Sequence, residues 1–170
     1  KTMRKEPPYG GKIDYDIDGR LVGNWFVENT GGYAGSTRGG AYNYWSTHLA
    51  ITYDAIDPSH IILSVGTFTT EGEGKQFGVK GNSPDPATID KNSGVVKYEL
   101  VAYDYITGDT GKTWDWFSYA SSLKSRNKDA VEGVALVQMI EDRKIKFETF
   151  PSKTASQVSG FTSNAKIYER

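Results

Sequence analysis

The 170-residue chain has no cysteine, two histidines, two methionines, six prolines and no surplus of charge of either sign. Without cysteine there is no disulfide, thiol nucleophile, zinc–cysteine centre or iron–sulfur cluster, and the redox state of the compartment leaves no mark. Lys and Arg number 20 and Asp and Glu 21, a net charge of −1, so no strong field draws in nucleic acid or an anionic surface. The longest uncharged apolar stretch, Gly133 to Ile140, falls far short of the ~20 residues of a spanning helix. Its glycines form neither G-x-x-x-x-G-K-[ST] nor G-x-G-x-x-G, so no phosphate or dinucleotide loop is expected. A G-x-S-x-G elbow around Ser36 is also absent. The expected partner is a small molecule, with no nucleic acid, no membrane span, no cofactor and no metal; the oligomeric state stays open.

Leucine is scarce, whereas aromatic residues make up 13% of the chain, with 11 Tyr, 4 Trp and 7 Phe. That balance disfavours long helices and favours sheet. Richness in Gly, Thr, Ser and Tyr leans toward a secreted or periplasmic protein. The length suits a single domain over residues 1–170, with residues 1–19 as an N-terminal arm.

The clearest element is a hairpin from Tyr44 to Phe68. Leu49, Ile51 and Tyr53 alternate with polar residues, a turn falls at Asp57-Pro58-Ser59, and Ile61, Leu63 and Val65 alternate again. Symmetry about Asp57 pairs Leu49 with Val65, Ile51 with Leu63 and Tyr53 with Ile61 on one core face. Further strands are expected at Leu21 to Glu28, Lys75 to Val79, Gly94 to Tyr105, Thr113 to Ser118, Gly133 to Glu141, Lys144 to Phe150 and Ala165 to Arg170. Tyr119 to Ala130 is expected to form one short helix. Some eight to ten antiparallel strands in an up-and-down meander favour closure into a β-barrel, which removes exposed edges; a β-sandwich is the alternative.

Two stretches concentrate unusual side chains. The glycine-rich run from Asn29 to Gly40 is flanked by Trp25, Tyr44 and Trp45, a pattern suited to a loop over a barrel mouth. Trp114 and Trp116 stand on one face of a strand, where they form either a stacking platform or packed core. Asp14, Asp16 and Asp18 resemble the start of a calcium loop, but Trp25 occupies the position of its bidentate glutamate; a strand with Ile13, Tyr15 and Ile17 facing inward explains the same residues. His48, Asp54 and His60 share the polar face of the hairpin, too far apart along the strand for His48 and Asp54 to meet at one ion. Glu28, Asp54, Glu99, Asp104 and Asp115 supply carboxylates without a motif that selects a catalytic pair, and the catalytic residues are unknown. Glu99 either anchors a ligand inside the barrel or forms a surface charge pair.

Gly23-Asn24-Trp25 on the first long strand resembles the G-x-W signature of lipocalin-like barrels, and Tyr103-Asp104-Tyr105 is similar to their later T-D-Y motif. The resemblance lies in these isolated motifs. It implies a closed antiparallel barrel with Trp25 plugging one end, Lys166 or Arg170 packed over it, and a small, largely apolar molecule bound in the cavity. Tyr44, Trp45, Tyr98, Trp114 and Trp116 are then candidates for lining the cavity or its entrance, with His48 and Glu99 as polar contacts. Two alternatives stand beside this binder. One is a barrel enzyme of the cyclase or isomerase kind, with Glu99, Asp104 or His48 as its acid/base group. The other is a carbohydrate-binding module with exposed aromatic platforms.

Overall fold

A computed structural model describes residues 16–32, 44–69 and 73–170. Among them, eight strands form a closed antiparallel barrel: β1 (Gly23–Val27), β2 (His48–Tyr53), β3 (Ile61–Val65), β4 (Lys75–Val79), β5 (Val96–Thr107), β6 (Leu123–Glu141), β7 (Lys144–Pro151) and β8 (Lys166–Glu169). Each pairs with the next in chain order, and β8 closes on β1 through Phe26 with Glu169 and Val27 with Tyr168. A single helical turn, α1 (Tyr44–Thr47), leads into β2. Among the described residues no helix is long and apolar enough to cross a membrane.

The β2–β3 hairpin has the expected register, Leu49 opposite Val65, Ile51 opposite Leu63 and Tyr53 opposite Ile61. Alternation fixes it, because a slip of one residue would turn Leu49, Ile51, Leu63 and Val65 to the outside. These side chains are buried in one cluster with Trp25, Phe77, Tyr98, Leu100, Val137, Met139, Ile145 and Phe147, which fills the barrel interior. Each such aliphatic side chain contributes about 1.5–3 kcal/mol by leaving water. A second, smaller core lies on the outside of β6, where Val134 and Leu136 pack against Val158 and Phe161.

One end of the barrel is closed. Trp25 is fully buried there, and its indole N–H donates to Leu21 O at 2.9 Å. The Arg170 guanidinium lies 4.0 Å from the Trp25 ring centroid and donates to Val22 O at 2.8 Å and Arg20 O at 2.7 Å. Of the two basic residues suggested by the sequence, Arg170 covers the tryptophan. Gly23 has φ 137°, and a Cβ there would collide with Asp16 Oδ1 and Arg170 Nη1. The glycine of the G-x-W motif is thus required by the arginine that seals this end.

Two expected elements are absent. Tyr119 to Ala130 is not a helix: β6 begins at Leu123 and pairs Leu123–Asn127 with Tyr103–Thr107. Its residues alternate, Leu123, Ser125 and Asn127 against Lys124, Arg126 and Lys128, and Arg126 bonds Asp104 across the ladder at 2.7 and 3.0 Å. A period of two with a cross-strand ion pair outweighs the weak helical pattern. Thr113 to Ser118 is not a strand beyond an isolated bridge between Ile106 and Thr113. The Asp115 carboxylate instead accepts from Phe117 N at 3.0 Å and Ser118 N at 2.7 Å, a local turn that competes with a ladder. Those bonds, with the Ser118 hydroxyl foremost, hold the Asp115 carboxyl down at about 2. Trp116 adopts φ 69° inside this turn.

Register shifts at Leu100/Val101 and Val101/Tyr103 bend the long β5–β6 ladder. Its distal half, here called the overhang, folds against the outside of β3 and β4. Tyr103 packs on the buried His60 with ring centroids 4.9 Å apart, and Asn127 Nδ2 donates to Val79 O at 2.7 Å. Asn127 Oδ1 lies 2.6 Å from His60 Nε2. Gly78 lies directly beneath, where a Cβ would collide with Asn127 Oδ1. Tyr105 then reaches the β2–β3 turn and donates its hydroxyl to Asp54 Oδ2 at 2.5 Å.

Candidate functional site at the open end

The end opposite Trp25 holds a cavity of about 280 Å³. Strand parity builds it. Along β7 the inward positions run Ile145, Phe147 and then Thr149, while past the end of β3 at Val65 Phe68 packs on the interior and Thr67 donates its hydroxyl to Ser46 O at 3.0 Å. The switch from apolar to hydroxyl side chains marks where the packed interior meets solvent. Phe68, Phe147 and Tyr168 form the aromatic floor, with Phe147 and Tyr168 edge to face at 5.5 Å and Phe68 backed by Phe77 at 4.6 Å. Thr67, Thr149, Asn164 and Lys166 form the polar rim. Glu148 also lines it, buried and held by the backbone N–H of Thr162 at 2.7 Å and by the Thr162 hydroxyl.

Burial pushes the Tyr168 and Tyr98 hydroxyls well above the ordinary tyrosine range. Tyr105 is raised by burial and then by its bond to Asp54; Tyr53 is pushed up to about 12 by burial and then by its bond to Asp85. A hydroxyl whose pKa is raised on folding contributes stability that is intact below the unfolded value of about 10 and is lost as pH climbs through the folded value. Unfolding is therefore expected to begin above about pH 10, with these tyrosines ionising together with loss of structure. Tyrosinate absorbance and circular dichroism followed over one titration check this; simple independent ionisation of every tyrosine near pH 10 with the fold intact contradicts it.

Among the residues singled out from the sequence, those whose side chains are described do not line this cavity. Tyr44 begins α1, and its side chain lies outside the described residues, as does the run 33–43. Trp45, on α1 at the open end, is 68% exposed. His48 is on the outer face of β2, with Nε2 3.4 Å from Ser64 Oγ. Tyr98 points inward, fully buried, and donates to Pro84 O at 2.9 Å. Glu99 faces outward: it accepts from Ala155 N at 2.9 Å, pairs with Lys80 at 3.7 Å, and so ties the 152–165 segment to the barrel. Trp114 and Trp116 are in contact at 4.8 Å at the tip of the overhang.

Asp14 lies outside the described residues. Asp16 accepts from Asn24 N at 2.6 Å and faces Arg170 at 3.9 Å, while Asp18 is exposed and 4.0 Å from Arg143. Among the described residues no three His, Asp or Glu side chains gather as metal ligands. The mouth residues went unnoticed because none is rare or belongs to a motif. The available signal was the inward row of β7 that turns from Phe147 to Thr149.

The fold and its open-ended cavity define a closed eight-stranded up-and-down β-barrel, the architecture implied by the lipocalin-like motifs. No protein-family model matches the chain, and no curated protein or solved structure shows significant similarity to it.

Proposed function

We propose that this protein binds a small, largely apolar molecule at the open end of its barrel. The apolar part rests on Phe68, Phe147 and Tyr168, and a polar end meets Thr67, Thr149, Asn164 and Lys166. The observation that carries this reading is the cavity itself, about 280 Å³ with an aromatic floor and a polar rim. Its size is near the lower end of ligand pockets, which run from about 300 to 1,000 Å³. A filled interior excludes a long ligand from the depth of the barrel, so recognition is confined to the mouth. Among the described residues Lys166 is the cation on the rim, and it favours an anionic or strongly accepting head group.

Titration with 1-anilinonaphthalene-8-sulfonate, whose rings and sulfonate match floor and rim, tests the reading on the folded protein. Saturable one-to-one binding is expected. Thr149→Trp, which fills the mouth, should weaken it at least tenfold, and Lys166→Gln should weaken it severalfold, about 1 kcal/mol. Binding that survives Thr149→Trp, or its absence in the wild type, overturns the proposal.

A further inference from the structure

The run Trp114-Asp115-Trp116-Phe117-Ser118-Tyr119 at the tip of the overhang puts four aromatic rings within six residues. Three of them face solvent: Trp116 is 65% exposed, Tyr119 87% and Phe117 96%. Phe26, Phe77 and Phe147, by contrast, are buried. A phenyl ring that keeps nearly all its surface in water adds nothing to the fold, and a cluster of exposed large apolar side chains marks an interaction surface.

The turn is built to present these rings. Trp114 N donates to Tyr105 O at 2.8 Å and so fixes the base of the run on β5. The Trp116 ring is braced by Trp114 at 4.8 Å and by Tyr105 at 5.5 Å. Trp116 itself holds a left-handed backbone, φ 69°, which a bulky side chain adopts only when its surroundings impose it. What imposes it is the Asp115 carboxylate, which accepts from Phe117 N and Ser118 N, together with the Trp114 indole N–H, which donates to Ser118 O at 2.8 Å.

The same bonds narrow the partner. A water-poor surface penalises free backbone N–H groups, and at this apex the amides of Phe117 and Ser118 are already satisfied within the turn. Tryptophan and tyrosine around a wholly apolar phenylalanine are the rings that settle at a bilayer interface, the amphipathic ones at headgroup level. Residues 101–130 carry four acidic and four basic side chains, so the overhang has no charge that would select an anionic surface. A sugar platform needs free, coplanar ring faces, whereas Trp114 and Trp116 lie against each other at 39°.

We infer that the tip of the overhang docks on a zwitterionic lipid bilayer, with Phe117 entering the acyl boundary and Trp116 and Tyr119 resting among the headgroups. Asp115 is exposed beside them and limits the depth, so the contact is peripheral. This surface shares no residue with the mouth cavity and does not depend on what the mouth binds.

Co-sedimentation of the full chain with phosphatidylcholine vesicles tests it. Saturable partitioning is expected, little changed between about 0.1 and about 0.5 M NaCl because it is not driven by charge. Phe117→Ser should weaken it at least about fivefold and Phe117→Trp should retain it. Trp116→Gly, which removes the ring and relieves the positive φ, should weaken it as well. Thr149→Trp should leave it unchanged, so failure of the mouth site and of this surface are told apart. Failure to co-sediment, binding undiminished in Phe117→Ser, loss in the higher salt, or loss in Thr149→Trp overturns the inference. A Phe117-dependent dimer, or Phe117-dependent retention on cellulose without vesicle binding, would assign the tip to a second copy or to a glycan and overturns it too. Because the Phe117 side chain is almost wholly exposed, its variants should unfold in urea as the wild type does, which separates loss of docking from loss of structure.

Discussion

Trp25→Ala is expected to lower the unfolding free energy by about 3–5 kcal/mol, the range for deleting a large buried aromatic ring. The ring fills the closed end and also organises the groups around it. Its N–H satisfies Leu21 O, and its face carries the Arg170 guanidinium at 4.0 Å. Arg170 in turn donates to the carbonyls of Val22, Arg20 and Ile17, and its side chain is 4% exposed. Arg170→Ala should therefore cost about 2–3 kcal/mol, from a desolvated cation–π contact and carbonyls left without a donor. Because each residue supports the other, the double variant should lose less than the sum of the singles. Urea unfolding of the three variants measures this; strict additivity would show that the arginine and the indole act independently.

The second large effect is expected at Asp54, a carboxylate only 1% exposed at the β2–β3 turn. It holds the turn through Ile56 N and Asp57 N, and it anchors the overhang through Tyr105. Asp54→Ala strands three donors and should cost about 2–4 kcal/mol. Stability alone does not identify the anchor, but Tyr105 provides a specific readout. Its hydroxyl is raised by burial and by Asp54, so in Asp54→Ala it should ionise at lower pH than in the wild type, while Tyr168, whose rise comes from burial alone, should not change. Asp54→Asn should recover part of the stability by restoring one acceptor. An unaltered Tyr105 titration in Asp54→Ala would show that the overhang is held elsewhere.

Local pattern carried much of the architecture. The β2–β3 register was readable because Leu49, Ile51, Leu63 and Val65 alternate strictly about one turn, and Lys75–Val79 was readable between its flanking polar residues. The closed end was legible as a motif, Gly23-Asn24-Trp25 with a late basic residue, although the need for glycine at position 23 became apparent only with Arg170 in place. Where pattern misled, the deciding interaction was distant or a side chain's own local bond. Lys124, Arg126 and Lys128 take β structure because Tyr103–Thr107 lies opposite, more than fifteen residues away. Trp114 and Trp116 leave the strand because Asp115 caps the backbone two and three residues on. Glu99 was expected as an internal anchor or a surface pair; it faces outward yet is covered, because the 152–165 segment folds over β5 and β6.

Alternation, turn chemistry and the absence of cysteine, charge excess and long apolar runs together determined an all-β antiparallel chain with one dominant core, since a period of two can bury its apolar face only by pairing into a sheet. Which residues share a cavity was decided by closure. Phe147 and Tyr168 already face each other on the neighbouring strands β7 and β8, whereas Phe68 joins them only when the barrel closes, and Tyr105 reaches Asp54 only when two bulges turn the β5–β6 ladder back across the barrel. Strand periodicity specifies the face on which a side chain sits, whereas barrel closure and ladder bending are long-range events that choose its neighbours.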